Sequence, residues 1–136
     1  MTKSIELLKI IKELQENADI VNGQEIEMAA NLIAKSTMIF VAGCGRTGFV
    51  MRAFANRLMH LGKQVHFVGD ATTPAIRSGN LLIVGSGSGE TGSLVNITEK
   101  AKKIGAEVLL ITIHVDSSIG KIADYRIILP GSTPKS

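Results

Sequence analysis

The chain has 136 residues, 45% hydrophobic and 20% charged, with a net charge of +3; this suits one compact domain that buries about two-thirds of its unfolded surface and excludes a disordered chain. Cys44 is the single cysteine, which excludes an intrachain disulfide and any thiolate metal or iron–sulfur site built within one chain. Aromatic content is 4% without tryptophan, and the lysines and arginines form no run, a pattern unsuited to single-strand nucleic acid and better matched to a small anionic ligand.

Ile5, Leu8, Ile11, Leu14, Ala18 and Val21 recur at three- and four-residue intervals, which predicts an opening helix. Charges interrupt this stretch where a secretory signal needs an unbroken apolar core. Asn22 and Glu25 have capping-box spacing before a second helix carried by Ile26, Ala29, Ala30 and Ile33. Met38 to Ala42 is a continuous apolar run ending in glycines, as in a parallel strand buried on both faces.

Alternation then follows: a helix over 47–61 stopped by Gly62, a strand over 64–68, a strand over 81–84, and a helix over 91–104 stopped by Gly105. A strand over 107–113, a short helix over 118–123 and a strand over 126–129 complete the pattern. Strands separated by helices imply right-handed crossovers and an α/β fold, a mostly parallel sheet with helices on both faces. No linker, repeat or low-complexity segment divides residues 1–136. The final stretch from Pro130 to Ser136 is turn-like, so the last strand is expected to stand uncovered and the domain to look truncated at its C-terminus. No apolar stretch approaches the roughly 20 residues that a bilayer span needs. The expectation is a cytoplasmic protein engaging neither membrane nor nucleic acid.

Ligands of open α/β sheets sit outside the carboxyl ends of the strands. Two loops there are glycine-rich. Gly43-Cys44-Gly45-Arg46-Thr47-Gly48 joins a strand to a helix and offers an anion free backbone N–H groups, a helix N-terminus and a guanidinium. It also spells G-x-G-x-x-G with Asp70 beyond it, so an NAD-binding domain is an alternative; a tight turn that lets the helix pack closely is another. Gly85-Ser86-Gly87-Ser88-Gly89-Glu90-Thr91-Gly92 combines exposed amides with three hydroxyls that can converge on a phosphate. Ser88 or Thr91 could instead cap the following helix, and Glu90 could favour its dipole.

Leu81 to Thr91 resembles the signature of sugar isomerase (SIS) domains, which bind phosphosugars. Four further stretches resemble 6-phospho-3-hexuloisomerases: Gly43 to Gly48, Arg57 to Gly62, Thr72 to Ile76 and Ile119 to Asp124. The resemblance implies a three-layer α/β/α sandwich with a flavodoxin-like five-stranded parallel sheet, and a homo-oligomer, dimer or tetramer, with sites at subunit boundaries. It also implies interconversion of 3-hexulose 6-phosphate and fructose 6-phosphate, in the ribulose monophosphate pathway of formaldehyde fixation, without cofactor or metal. By carry-over, Gly45, Arg46, Thr47 and the run Ser86, Gly87, Ser88, Gly89, Glu90 and Thr91 bind substrate, and His60 shuttles a proton or assists ring opening. The family's usual catalytic base is a glutamate on a C-terminal helix, expected beyond Ser136. A non-catalytic phosphosugar-binding module is the alternative that its absence suggests.

From the residues alone, Arg52, Asn56 and His60 form a polar ridge opposite Val50, Phe54, Leu58 and Leu61, most simply a solvated face. His66, inside a strand, reads as structural. His114, at a strand end, could approach a ligand or fix its own loop.

Overall fold

The computed structural model describes residues 2–133. In chain order the elements are α1 (Ile5–Ile20), α2 (Gly23–Lys35), β1 (Met38–Gly43), α3 (Gly45–His60), β2 (Gln64–Phe67), β3 (Leu81–Gly85), α4 (Gly92–Ile104), β4 (Glu107–Thr112), α5 (Ser118–Ile122) and β5 (Tyr125–Ile128). All strand pairings are parallel, in the order β2-β1-β3-β4-β5. The three-layer α/β/α sandwich expected from the alternating pattern is therefore present.

The apolar runs form the middle of the sheet because each strand there is covered twice. Ile39, Val41, Leu81, Ile83 and Leu109 meet Leu32 of α2 and Met51, Ala55 and Leu58 of α3. Phe40, Leu82, Val84, Val108 and Leu110 meet Leu94 and Ala101 of α4 and Ile119 of α5. Each fully buried aliphatic side chain stabilises the fold by about 1.5–3 kcal/mol. Leu81 to Val84 are all buried, so β3 anchors both cores.

The buried arc of α3 is Gly48, Met51, Ala55 and Leu58, which differs from the sequence reading. Val50 and Leu61 are exposed, because the side of the helix that meets the sheet is rotated away from them. Asn22 does cap α2, accepting from Gln24 N at 2.8 Å. Glu25 does not close the capping box; its Oε1 accepts the N–H of Ile128 at 3.0 Å and ties α2 to β5. None of the residues of α1 is buried. Residues 129–133 carry no helix or strand, and 134–136 of the expected terminal turn lie outside the described residues. No helix among the described residues is long and apolar enough to cross a membrane.

Strand order positions the site. From β1 the chain moves outward to β2, then returns to β3 on the other side of β1, so α3 and α4 leave neighbouring strands toward opposite faces. That divergence opens a crevice at the carboxyl edge between β1 and β3.

Candidate functional site

Gly43 and Gly85 are register partners on β1 and β3, so both glycine loops begin side by side. Cys44, the N-cap of α3, makes no capping bond through its side chain. Its Sγ lies 3.5 Å from Ser93 Oγ in the first turn of α4, so the two loops are in contact. A Cβ on Gly48 would sit 2.8 Å from the Gly43 carbonyl oxygen. These two glycines thus serve close helix–strand packing, one of the alternatives raised by the sequence.

A cleft of about 420 Å³ opens here, lined by Arg46, Thr47, Val50 and Met51 on the α3 side and by Gly85, Gly87 and Thr112 at the strand ends, with Ile111, Ile113 and Leu129 completing an apolar floor. Arg46 forms no ion pair among the described residues and is exposed. Gly45 lies in an adjoining hollow with Gly43, Gly48, Phe49, Arg52 and Phe67.

The second loop is held by its own hydroxyls. Ser86 is 4% exposed, and its Oγ accepts from Gly89 N at 3.0 Å; Ser88 Oγ accepts from Glu90 N at 3.1 Å. Neither serine caps α4, whose N-cap is Thr91 without a side-chain bond. The N–H groups of Gly87, Ser88 and Thr91 have no acceptor among the described residues. What the loop offers an anion is therefore chiefly amide hydrogen, with hydroxyl protons beside it.

Glu90 is spoken for. Its carboxylate accepts the N–H of Ser118 at 3.1 Å and the Ser118 hydroxyl, a clamp on α5 that the sequence reading of Glu90 as a substrate-binding or dipole-favouring residue did not include. The Ser118 hydroxyl, then the Ser118 N–H, hold its carboxyl below the ordinary carboxylate value, with a smaller contribution from Lys121. Ser117, 2% exposed, caps α5 through Gly120 N at 3.0 Å and packs beneath Gly89. Neither serine was legible as part of the site, since their partners lie about 28 residues away in sequence. Thr112 and Ile113 could have been found by the strand-end rule.

His60 is the last residue of α3 and is exposed. Fifteen residues from Gly45, it lies about 22 Å along the axis from the cleft at 1.5 Å per residue. The expected proton shuttle is therefore not brought to the cleft of its own chain. Arg52 is not simply solvated: it pairs with Asp70 at 3.0 Å and lies 3.9 Å over the Phe67 ring. Asp70 is thereby engaged, against its use on a cofactor ribose. His66 packs its ring on Phe40 at 5.7 Å. His114 fixes its own loop, with its N–H on Thr112 Oγ1 at 3.2 Å and its ring Nε2 3.3 Å from Thr133 Oγ1. No cluster of metal-ligating side chains occurs among the described residues.

Two glycine-rich loops beginning side by side at the switch point of a five-stranded parallel sheet define an α/β domain with its ligand crevice between β1 and β3. Residues 32–135 match the SIS domain family, and the chain belongs to it. It is 45% identical over 124 residues to the 3-hexulose-6-phosphate isomerase of Bacillus subtilis, covering 91% of this chain and 67% of that one. It is 41% identical over 132 residues to the enzyme of the same name from Mycobacterium gastri, covering 97% and 65%. A crystal structure from Methanococcus jannaschii, for which a molecular function of 3-hexulose-6-phosphate isomerase was inferred, superposes with a TM-score of 0.76 at 38% identity, covering 82% of this chain and 63% of that one. The chain thus spans about two-thirds of the length of these relatives.

Proposed function

We propose that the protein takes part in interconverting D-arabino-hex-3-ulose 6-phosphate and fructose 6-phosphate. The observation that carries this reading is a cleft lined by Arg46 and Thr47 of the first glycine loop and by Gly87 of the second, in a chain whose relatives bear that enzyme's name. The Gly87, Ser88 and Thr91 amides, with the Ser86, Ser88 and Thr91 hydroxyls, hold the phosphate. Arg46 and Thr47 then stand where the sugar's C2 and C3 oxygens fall.

Moving the ketone requires a base to take the proton on C2, so that the C–H electron pair forms the C2–C3 double bond and the C3 oxygen becomes negative. Reprotonation at C3, with loss of the C2 hydroxyl proton, leaves the C2 ketone. The electrons stay within the substrate, so no redox cofactor is called for. Arg46 suits the developing enediolate, because a cation beside a partly apolar cleft stabilises charge more than water does. No carboxylate or imidazole is among the residues lining the cleft. We assign proton transfer or ring opening to the His60 of a second copy. The exposed ridge of α3, with Phe49 at 74% and Val50 at 66% exposure, supports a homo-oligomeric contact that carries one end of α3 to the other copy's cleft.

The test is incubation of the protein with hex-3-ulose 6-phosphate, followed by carbon-13 NMR. Appearance of fructose 6-phosphate without metal or nucleotide is expected; saturable binding with no product overturns the isomerase reading. His60→Gln should lower kcat by about 100-fold, the scale of lost acid–base catalysis, with KM little changed.

A further inference from the structure

The carbonyl oxygen of Gly87, inside the second glycine loop, receives three donors from the end of β4 and the residues after it. Ile113 N lies at 3.1 Å and His114 N at 3.3 Å, and Thr112 Oγ1 lies at 3.0 Å. A buried carbonyl is satisfied by one partner, so three converging donors also fix its direction. Thr112 supplies the one side chain among them. It is the last residue of β4 and is 1% exposed. Its hydroxyl accepts the N–H of His114 at 3.2 Å and has a single proton to give. Gly87 O is the nearer acceptor for that proton, since the alternative, His114 O, lies at 3.3 Å. Although Thr112 lines the cleft, its proton is thus committed within the protein and is not left for a ligand.

The consequence lies across the peptide bond. In a planar trans peptide the N–H of Ser88 points opposite to the carbonyl of Gly87, so whatever holds that carbonyl also sets the direction of that N–H, away from the three donors. The Ser88 N–H has no acceptor among the described residues. We infer that Thr112 is a positioning residue: by holding the Gly87 carbonyl it presets the Ser88 amide as a donor to the phosphate of the substrate. A donor aimed beforehand binds more tightly than one that must be ordered when the ligand arrives. Loss of the hydroxyl leaves the carbonyl with two backbone donors, so it removes a constraint on direction without stranding a buried acceptor. The inference rests on the phosphate assignment of this loop and is independent of turnover.

Titration of the nitrogen-15-labelled chain with fructose 6-phosphate, followed by amide NMR, tests it. In the wild type the Ser88 amide proton should move downfield to saturation. Thr112→Val, of similar shape but without the hydroxyl, should bind about 10-fold more weakly, the scale of one impaired hydrogen bond to a charged group, and its Ser88 shift should shrink. Thr112→Ser keeps the donor and should recover the affinity, even if loss of the buried methyl makes it the less stable variant in urea. A merely structural threonine would lower stability and leave the affinity of the folded chain and the Ser88 shift unmoved. Equal affinity in wild type and Thr112→Val, failure of Thr112→Ser to recover it, or a wild-type Ser88 amide that ignores bound ligand overturns the inference alone. A wild-type chain that binds no fructose 6-phosphate overturns the phosphate assignment and the inference with it, whereas binding without turnover removes only the isomerase reading.

Discussion

Replacing Gly89 by alanine tests whether the phosphate loop owes its shape to α5. Gly89 has φ +67°, and a Cβ there would lie 2.0 Å from Ser117 Oγ and 2.5 Å from Ser117 Cβ. The left-handed backbone alone costs an alanine about 1–2 kcal/mol. Ordinary carbon contacts need about 3.5 Å or more, so the loop or Ser117 must move by more than an ångström. Ser117 is buried and caps α5 through Gly120, so it cannot swing aside without losing a cap worth about 1 kcal/mol. Overpacking of this kind costs about 1–3 kcal/mol. The variant should therefore lose about 2–5 kcal/mol in urea unfolding followed by circular dichroism, from a total of about 5–15 kcal/mol for a domain of this type. Ser117→Gly removes both obstructing atoms, so in that background Gly89→Ala should cost only the backbone strain, and the two changes should couple by about 1 kcal/mol or more. Equal costs in the two backgrounds would refute the reasoning.

Three further outcomes follow from the same contacts. Ser88→Ala removes a hydroxyl proton from the loop and the acceptor of Glu90 N, and should weaken fructose 6-phosphate binding by about 1–3 kcal/mol in calorimetry; unchanged affinity counts against the phosphate assignment. Glu90 binds its proton more weakly folded than unfolded, because Ser118 holds its carboxyl below the ordinary value of 4.5. Its contribution is complete above the unfolded carboxyl's pKa and is lost as pH falls through the folded one. The stability gap between wild type and Glu90→Gln should thus narrow as the pH falls from neutral through the titration of the folded carboxyl; a gap independent of pH would discard the clamp. Arg52 and Asp70 are 49% and 44% exposed at their side chains, so a double-mutant cycle between them should give less than about 1 kcal/mol, and a larger coupling would show that the pair is better shielded than its exposure implies.

Helices and strands were legible because their signals are local: Asn22 caps α2, Gly105 takes φ +98° at the end of α4, and the apolar runs of β1 and β3 lie where expected. The phase of α3 was less so. Its period allowed either Val50 or Met51 to face inward, and only the sheet decides which does. The roles of Glu25 and Glu90 depend on partners 103 and 28 residues away, and no spacing within the chain encodes those meetings. His60 shows the same limit in reverse, since its motif is local but its place at the end of α3 separates it from the loops it was grouped with.

The glycines join the two kinds of information. The family resemblance put Gly89 among the substrate-binding residues, and the fold shows it pressed against Ser117, with its carbonyl accepting the N–H of Ile119 at 3.1 Å. These roles are not rivals. Amides bind phosphate well only when already aimed and held before the ligand arrives. The contact with α5 supplies such rigidity, so in the proposed phosphate site the glycine that lets the helix approach also holds the backbone of its neighbours in place.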